Sequence, residues 1–297
     1  MAVDAPVLAN ILVSGGTGFV GLTISSAIAE KHLKCNITVL DVKPPDSTHF
    51  LSAGISFIQA DITCSGDINN AVRRVKPEAF IHKVGIVPVL GERLLRKPWM
   101  VLEASSSSTV TCALRPSVLC GPGDNHLVPP IHACIAEGET PFMIGDGLNL
   151  WDVTYVTNVA DAHVLAAENL VSTKTAAGEA FFIQNNEPVT FRTFCLAVWA
   201  HFGHIPPFQV HIPEPLPYMA GLVSKALTWA METATTLSRG SIKDACSVRY
   251  ASGEKAKRIL GLEARIGIED AIRLSCEKIQ DYARRLGAKS LPRTKNA

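Results

Sequence analysis

The sequence predicts an α/β protein built on a doubly wound parallel sheet. Residues 11–13 form a short apolar strand that runs into a glycine-rich turn, and residues 19–33 follow with apolar side chains at helical spacing. Strand and helix signals then alternate up to residue 81. Repeated βα units of this length imply a parallel sheet with helices on both faces.

The other elements are predicted from the period of their apolar residues and from the polar, glycine and proline residues at their ends. Strands are predicted at residues 11–13, 37–40, 55–59, 79–81, 109–114, 142–144, 180–183 and 208–211, with an extended segment at 151–156. Helices are predicted at residues 19–33, 70–75, 127–136, 158–169, 191–201, 217–236, 253–260 and 268–285. No strand is predicted between residues 83 and 103, so the sheet is expected to be truncated in its middle.

Composition argues against several classes of protein. The 297 residues are 47% hydrophobic and 19% charged, which favours a sizeable core over disorder. With a net charge of +1 and no long basic run, no nucleic-acid partner is expected. The eight scattered cysteines contain no Cys-x-x-Cys pair, so no metal or disulfide framework is predicted. The sequence shows no signal peptide and no apolar span of about eighteen residues, and a cytoplasmic location is therefore predicted.

The glycine turn and the acid that follows it form a dinucleotide-binding fingerprint, which makes the predicted sheet one of Rossmann type. Gly15 permits a tight turn out of the strand, Gly18 leaves room for the pyrophosphate, and Gly21 lets the helix pack closely. Asp41 ends the second predicted strand, where it would accept hydrogen bonds from the adenosine ribose. That acid favours NAD over NADP, although the neighbouring Lys43 would tolerate a 2′-phosphate.

Other cofactor contacts are assigned by their position along the same βα units. The helix that follows the turn offers free N–H groups and a positive dipole end to the phosphates. Asp61 follows the third strand and fits an adenine contact, with capping of the strand end as the alternative interpretation. The predicted cofactor residues are Gly15, Thr17, Gly18, Phe19, Val20, Gly21, Asp41, Asp61, Ile62 and His82.

The spacing of the glycines resembles the motif Thr-Gly-x-x-Gly-x-x-Gly of the extended short-chain dehydrogenases/reductases, with Ser14 in the threonine position. Further segments that resemble this group are residues 113–116 with 121–124, 144–147 with 151–156, 158–162, and 249–261. In combination they are similar to the 3β-hydroxysteroid dehydrogenase/isomerase family, and most of all to its fungal sterol-4α-carboxylate 3-dehydrogenase type. The resemblance covers residues 8–82 and roughly 100–285.

The resemblance implies NAD(P)-dependent oxidation of a secondary alcohol on a steroid or terpenoid ring, with Pro116 in the loop on the nicotinamide side. It also implies a catalytic Tyr-x-x-x-Lys pair on one helix, assisted by a serine or threonine. None of the four tyrosines has a lysine four residues later; they are Tyr155, Tyr218, Tyr250 and Tyr282. The pair belongs where this chain has only residues 83–100, so an internal deletion is predicted and the catalytic residues are unassigned.

Two explanations of the deletion are open: coding sequence omitted from a longer, active protein, or a genuinely shortened paralogue. Substitutes for the missing pair are few. Serines 105–108 have no partner base. His82 faces the cofactor edge but also fits a hydrogen-bonded histidine at a strand end. Tyr155 is more typical of packing, and His201 with His204 is more typical of a helix end than of a metal pair.

The leading hypothesis is an NAD(P)-dependent oxidoreductase acting on a sterol or terpenoid alcohol or ketone, in sterol or secondary-metabolite biosynthesis. The alternatives are a non-catalytic dinucleotide-binding paralogue and a cofactor-assisted isomerase of a cyclic terpenoid. Residues 1–172 are expected to form the dinucleotide-binding domain, with segment 121–150 joining the substrate side. Residues 173–297 are expected to form a smaller α/β substrate lobe with the C-terminal helices.

The predicted partner is a small hydrophobic substrate, a sterol or a terpenoid. The apolar stretch at residues 213–236 is expected to line a substrate cavity or to pack on the core. Peripheral membrane contact, at the cytosolic face of the endoplasmic reticulum, is the alternative for this stretch. No prediction is made for the oligomeric state.

Overall fold

The N-terminal half is a four-stranded parallel sheet with the strand order β3-β2-β1-β4. The structure is a computed structural model that describes residues 8–45, 54–82, 110–213 and 246–285. The strands are β1 (Asn10–Ser14), β2 (Asn36–Asp41), β3 (Ile55–Gln59) and β4 (Ala79–His82). The helices between them are α1 (Phe19–Lys31) and α2 (Ser65–Val75). The predicted parallel α/β fold is confirmed.

The central strand β1 is covered on both faces. Ile11 and Val13 are fully buried in one cluster with Ile28 of α1. Leu12 points the other way and is buried with Ala71 of α2. Because successive side chains of a strand alternate between its faces, this apolar strand needs a helix layer on each side.

The second half contains four short strand pairs and five helices among the described residues. Its strands are β5 (Ala113–Pro116), β6 (Val118–Cys120), β7 (Phe142–Ile144), β8 (Leu150–Trp151), β9 (Val153–Tyr155), β10 (Ala180–Ile183), β11 (Val189–Thr190) and β12 (Val210–Ile212). Its helices are α3 (Val128–Glu137), α4 (Val156–Val171), α5 (Phe191–His201), α6 (Glu254–Leu260) and α7 (Ile268–Arg285). The pairs β5–β10, β6–β9 and β7–β12 are parallel, and β8–β11 is antiparallel.

Helix α4 connects the two halves of the molecule. Ala160 and Val164 are buried against the four-stranded sheet and α1. Val159 and Ala162, on another side of the same helix, are buried with Phe181 of β10. The small and β-branched residues of α4 therefore pack in two hydrophobic cores, one on each side of the helix.

Among the described strands, none of the first half pairs with one of the second half. Strand β4 pairs only with β1 there, and β5 pairs only with β10. Phe80 of β4 is 41% exposed and Phe182 of β10 is 45% exposed. The predicted truncation of the sheet stays a prediction, because residues 83–109 lie outside the described residues.

Several predicted boundaries are corrected. Helix α2 begins at Ser65 rather than at residue 70, because Asp67 accepts a hydrogen bond from the Asp61 backbone N–H and so starts the helix within a polar segment. The strand predicted at 109–114 is β5, and it ends in Pro116 because its register is set by pairing with distant β10. The extended segment at 151–156 is two short strands, and α4 begins already at Val156.

The helix predicted at 217–236 and serines 105–108 lie outside the described residues.

A second core is formed by α3, α5 and α7 together with β6 and β9, and it is centred on Phe194, Val198 and Trp199. Within the ranges that the structure describes, no helix combines the length and the apolar character needed to cross a membrane.

Candidate dinucleotide site

The predicted cofactor residues of the first half lie at the carboxyl edge of the four-stranded sheet. Ser14 ends β1, Asp41 ends β2, Asp61 follows β3, and His82 ends β4. Because the four strands are parallel, these ends share one edge of the sheet. Ligands of doubly wound sheets bind at this edge.

The turn after β1 is shaped by the backbone conformation of Gly15 and by close contacts at Gly16 and Gly21. Gly15 has a φ of +67°, a conformation that favours glycine. The Gly16 N–H donates to the Leu40 carbonyl over 3.1 Å, and a Cβ on Gly16 would lie 2.7 Å from Val39 Cγ1. A Cβ on Gly21 would lie 2.7 Å from Gly16 Cα. Gly21 thus lets α1 pack on the turn itself rather than on the strand, which refines its predicted role.

The first turn of α1 offers free backbone donors. Gly18 is the N-cap, no side chain caps the helix, and no acidic residue lies in its first turn. The unpaired N–H groups of a helix N-terminus attract phosphate oxygens. A Cβ on Gly18 would make only an ordinary contact, at 3.4 Å from the Gly15 carbonyl oxygen, so within the protein this position has room to spare. The turn therefore fits a pyrophosphate.

Asp41 is held against the glycine turn. Its Oδ2 accepts a hydrogen bond from the Thr17 N–H at 3.2 Å, and its Oδ1 accepts one from the Val42 N–H at 2.8 Å. These two bonds fix a carboxylate at the end of β2, beside the turn that would hold the pyrophosphate. Such a carboxylate suits the two hydroxyls of an adenosine ribose.

Asp61 makes a local turn in the structure. Its Oδ1 accepts hydrogen bonds from both the N–H and the hydroxyl of Thr63, each at 2.8 Å, and these donors lower the pKa of the Asp61 carboxyl. This is the alternative that the sequence left open for this residue. The adenine contact of Asp61 and Ile62 stays a prediction.

His82 is oriented by the strand beside it. Ser14 and His82 are register partners on β1 and β4, and the Ser14 hydroxyl lies 2.8 Å from His82 Nδ1. Ser14 is fully buried, whereas His82 is exposed at the carboxyl edge. The imidazole is thus a hydrogen-bonded histidine at the end of a strand, and its contact with the cofactor stays a prediction.

The loop at residues 121–124 reaches the cofactor helix. A Cβ on Gly123 would lie 3.3 Å from Phe19 Cδ2, in the first turn of α1. Asp124 holds the loop by accepting hydrogen bonds from the N–H groups of Leu127 and Val128 at the start of α3. Val20 packs with the core around β10, on the side of the molecule that also carries Pro116 at the end of β5. Helix α1 therefore contacts both the loop at residues 121–124 and the core around β10.

Tyr155 and His204 have structural surroundings. Tyr155 is buried, and burial raises the pKa of its phenol, the opposite of what a tyrosine acid/base needs. His204 Nε2 lies 2.7 Å from the Thr140 hydroxyl, which joins the end of α5 to the loop before β7. Among the described residues, no group of three or more His, Cys, Asp or Glu side chains is arranged to hold a metal ion.

Sequence reasoning missed a buried polar network. The Asp152 carboxylate, fully buried, accepts the backbone N–H groups of Asn185 and Asn186, and burial raises the pKa of this carboxyl. Asn158 bonds to Asn185 and to the backbone of Ile266. The only signal in the sequence was a polar residue inside an otherwise apolar segment, at Asp152 and again at Asn158.

Two family models match overlapping parts of the chain. The model of the "NAD dependent epimerase/dehydratase family" matches residues 11–97, which contain the glycine turn, and that of the "3-beta hydroxysteroid dehydrogenase/isomerase family" matches residues 92–214. The chain is also similar to sterol-4-alpha-carboxylate 3-dehydrogenase, decarboxylating, from two yeasts. Identity to the Schizosaccharomyces pombe protein is 36% over 223 residues, covering 75% of this chain and 62% of that protein.

The relative from Saccharomyces cerevisiae is 31% identical over 333 aligned positions, which cover 95% of that protein but only 89% of these 297 residues. It therefore has residues without a counterpart here, as the predicted internal deletion requires.

Solved structures have the same fold. A dTDP-glucose 4,6-dehydratase from Bacillus anthracis in complex with NAD superimposes with a TM-score of 0.66 at 14% identity, covering 93% of this chain and 98% of that one. For a UDP-glucose 4-epimerase from Thermotoga maritima the TM-score is 0.66 at 16% identity, covering 92% and 99%.

Proposed function

The chain belongs to the 3-beta hydroxysteroid dehydrogenase/isomerase family, and from that premise we propose that it is an NAD-dependent oxidoreductase acting on a ring alcohol or ketone of a sterol or terpenoid. The observation that carries the proposal is the cradle formed by the uncapped N-terminus of α1, Gly18 and the carboxylate of Asp41. NAD bound there would supply a hydride acceptor. The relatives named as sterol-4-alpha-carboxylate dehydrogenases suggest the class of substrate.

The chain's own residues divide the work of binding NAD. The first-turn N–H groups of α1 would hold the pyrophosphate, and Asp41 would hold the adenosine ribose. A carboxylate at that point repels a 2′-phosphate, which supports NAD over NADP. His82 would lie at the nicotinamide side of the same edge, where the hydrogen bond to Ser14 fixes its ring.

A second candidate is a non-catalytic dinucleotide-binding protein. The specific observation in its favour is the lack of any Tyr-x-x-x-Lys in the sequence. The burial of Tyr155 points the same way, since this residue is not available to exchange a proton with substrate. Both candidates share the cofactor site and differ only in turnover.

The test measures binding and turnover separately. NADH is titrated into the purified chain by its fluorescence, and the chain is then incubated with NAD and a sterol-4α-carboxylate while absorbance at about 340 nm and the ketone product are followed. Binding with product formation supports the oxidoreductase. Binding without product, also with other sterol and terpenoid alcohols, supports the non-catalytic protein. Absence of NADH binding contradicts both.

We also propose a cytoplasmic protein with peripheral contact to the endoplasmic reticulum membrane. The support is the hydrophobic class of substrate, which partitions into bilayers, together with the apolar stretch at residues 213–236. Flotation with liposomes tests this. The full chain should float with the vesicles, and recovery only in the bottom fraction would contradict the contact.

A further inference from the structure

An apolar surface lies on the strand pair β7–β12 and on the segments beside it. More than half of the large apolar side chains that are exposed in the described ranges belong to three short stretches of the chain. Single apolar side chains are common on protein surfaces, but a cluster of them marks a contact with a partner, a membrane or a ligand. The β7–β12 surface consists of Phe142, Leu148, Leu150, Ile205, Phe208, Val210, Val248 and Tyr250.

Backbone pairing brings the three stretches together. Phe142 and Val210 are register partners in the parallel pair β7–β12, so their side chains lie beside each other on one face. Leu148 and Leu150 follow β7 directly in the chain. The Arg249 N–H donates to the Leu150 carbonyl at 2.7 Å, which ties the third stretch to the second half of this hairpin. The three stretches are therefore neighbouring parts of one surface.

The frame beneath the exposed side chains is packed. Met143 of β7 and Trp151 of β8 are buried. Trp151 Nε1 donates to the Ser247 carbonyl at 2.9 Å and so holds the stretch that carries Val248. The apolar side chains are thus presented on fixed backbone, and little ordering is needed when a partner covers them.

The surface carries little charge. Its stretches, residues 142–150, 205–210 and 248–250, contain one acid and one arginine, Asp146 and Arg249. Asp146 Oδ1 accepts the Leu148 N–H at 2.9 Å, and the Arg249 guanidinium lies 5.0 Å from the centre of the Trp151 ring. A nearly neutral apolar surface suits the boundary of the bilayer hydrocarbon better than it suits a cluster of anionic headgroups.

The course of the chain favours a bilayer as the occupant of this surface. The described ranges stop at Pro213, directly after β12, and resume at Cys246, two residues before Val248. The sequence between these points contains the apolar stretch at residues 213–236, for which membrane contact is proposed above. Both points of attachment lie beside the β7–β12 surface, so a bilayer in contact with that stretch comes close to this surface as well.

We propose that the β7–β12 surface is the face of the protein that lies on the bilayer, with Phe142, Leu148 and Phe208 inserted between the headgroups and the acyl chains. The inference rests on the peripheral membrane contact proposed above and locates it on particular side chains. Because the contact is apolar, it needs no anionic lipid and persists at high salt. None of the predicted cofactor residues belongs to the surface, so NADH binding is independent of it.

The test is flotation of the full chain with phosphatidylcholine vesicles, at about 0.1 M and about 1 M salt. The unaltered chain should float at both salt concentrations. Leu148→Ser removes a side chain that is 70% exposed on the surface and should weaken binding to the vesicles about tenfold. Leu33→Ser is the matched control, because it removes the same side chain, 88% exposed, from the loop after α1 and should float like the unaltered chain.

Equal flotation of Leu148→Ser and Leu33→Ser would overturn the surface but leave the membrane contact standing, and a chain that does not float would overturn both. A dimer seen by sedimentation without lipid, and dissociated by Leu148→Ser, would give the surface to a second copy of the chain instead. A melting temperature that falls by several degrees in Leu148→Ser but not in Leu33→Ser would mean that the surface is covered within the chain, which also overturns the proposal. NADH affinity should be the same in all three chains, and its absence would contradict the oxidoreductase rather than this surface.

Discussion

Gly18 and Gly21 lie three residues apart at the start of α1, and the space around their missing side chains differs. Gly21→Ala would place a Cβ 2.7 Å from Gly16 Cα, inside backbone that cannot give way cheaply. We expect a loss of about 2 kcal/mol in the free energy of unfolding, as for other overpacked sites. The distorted turn should also bind NADH more weakly. Chemical denaturation and NADH fluorescence measure the two effects.

Gly18→Ala is the matched control for that change. Its Cβ meets only an ordinary contact within the protein, so stability should change by less than about 0.5 kcal/mol. The same Cβ stands where the pyrophosphate would approach, and NADH affinity should fall about tenfold or more. A Gly18→Ala chain that binds NADH normally would show that the dinucleotide does not lie on this turn.

Asp41 is expected to set the preference between the two dinucleotides. Asp41→Asn removes the negative charge but keeps an oxygen that can accept the Thr17 N–H. NADH affinity should drop about tenfold, because a hydrogen bond to a charged acceptor is lost, while NADPH affinity should rise or hold. Titrations with both cofactors measure the ratio. If the ratio stays the same, Asp41 is a turn residue only.

At the scale of elements, a buried acid joins α1 to α4. The Glu168 carboxylate lies 2.8 Å from His32 Nε2 and 2.8 Å from Lys31 Nζ, and it is buried together with the histidine. Lys31, by contrast, is 46% exposed at its side chain. Glu168→Ala should cost about 3 kcal/mol of folding free energy, because it leaves a buried polar partner unpaired. Lys31→Ala should cost less than about 1 kcal/mol, as exposed ion pairs do.

Urea denaturation of the two variants measures this difference. Equal losses in Glu168→Ala and Lys31→Ala would mean that the histidine does not depend on the acid, and that the joint between the helices is a surface contact. The residues of this joint are 136 and 137 positions apart in the chain. No local pattern marks such a pair, so sequence reasoning had no means of predicting it.

Elements with a strong local pattern were predictable, and elements set by distant partners were not. The glycine turn, α1 and β2 follow from apolar period and turn residues within one segment. The limits of β5 depend on pairing with β10, far along the chain. The start of α2 depends on the Asp67 side chain bonding to the Asp61 backbone, in a segment with little apolar signal.

In the candidate site, too, local features could be predicted from the sequence and contacts between distant side chains could not. The positions of Gly15, Gly18, Gly21 and Asp41 came from spacing, because the fingerprint encodes the local geometry of one βα turn. The capping turn at Asp61 and the partner of His82 came from side-chain contacts that spacing does not encode. The network around Asp152 joins side chains and backbone from distant segments, which spacing does not encode either.

At the scale of the whole molecule, the described residues bury both faces of β1 but only one face of β10. Phe181 is fully buried with α4 and α6, whereas its neighbour Phe182 is 45% exposed on the opposite face. The Arg115 guanidinium lies 5.9 Å from the Phe182 ring on that face. A doubly wound sheet normally buries both faces, so we expect this to be the face against which the missing βα units of the family would pack.

Adjacent phenylalanines on β10 therefore give the last prediction. Phe181→Ala should cost about 4 kcal/mol in the free energy of unfolding, since it empties a packed core. Phe182→Ala should cost about 1 kcal/mol or less, because its ring is half in solvent and gains only a weak cation–π contact with Arg115. Urea denaturation measures the free energy of unfolding of both variants. The two changes replace the same residue type at adjacent positions of one strand. A loss for Phe182→Ala as large as that for Phe181→Ala would mean that this face is covered in solution, and that the truncation has been compensated by another layer.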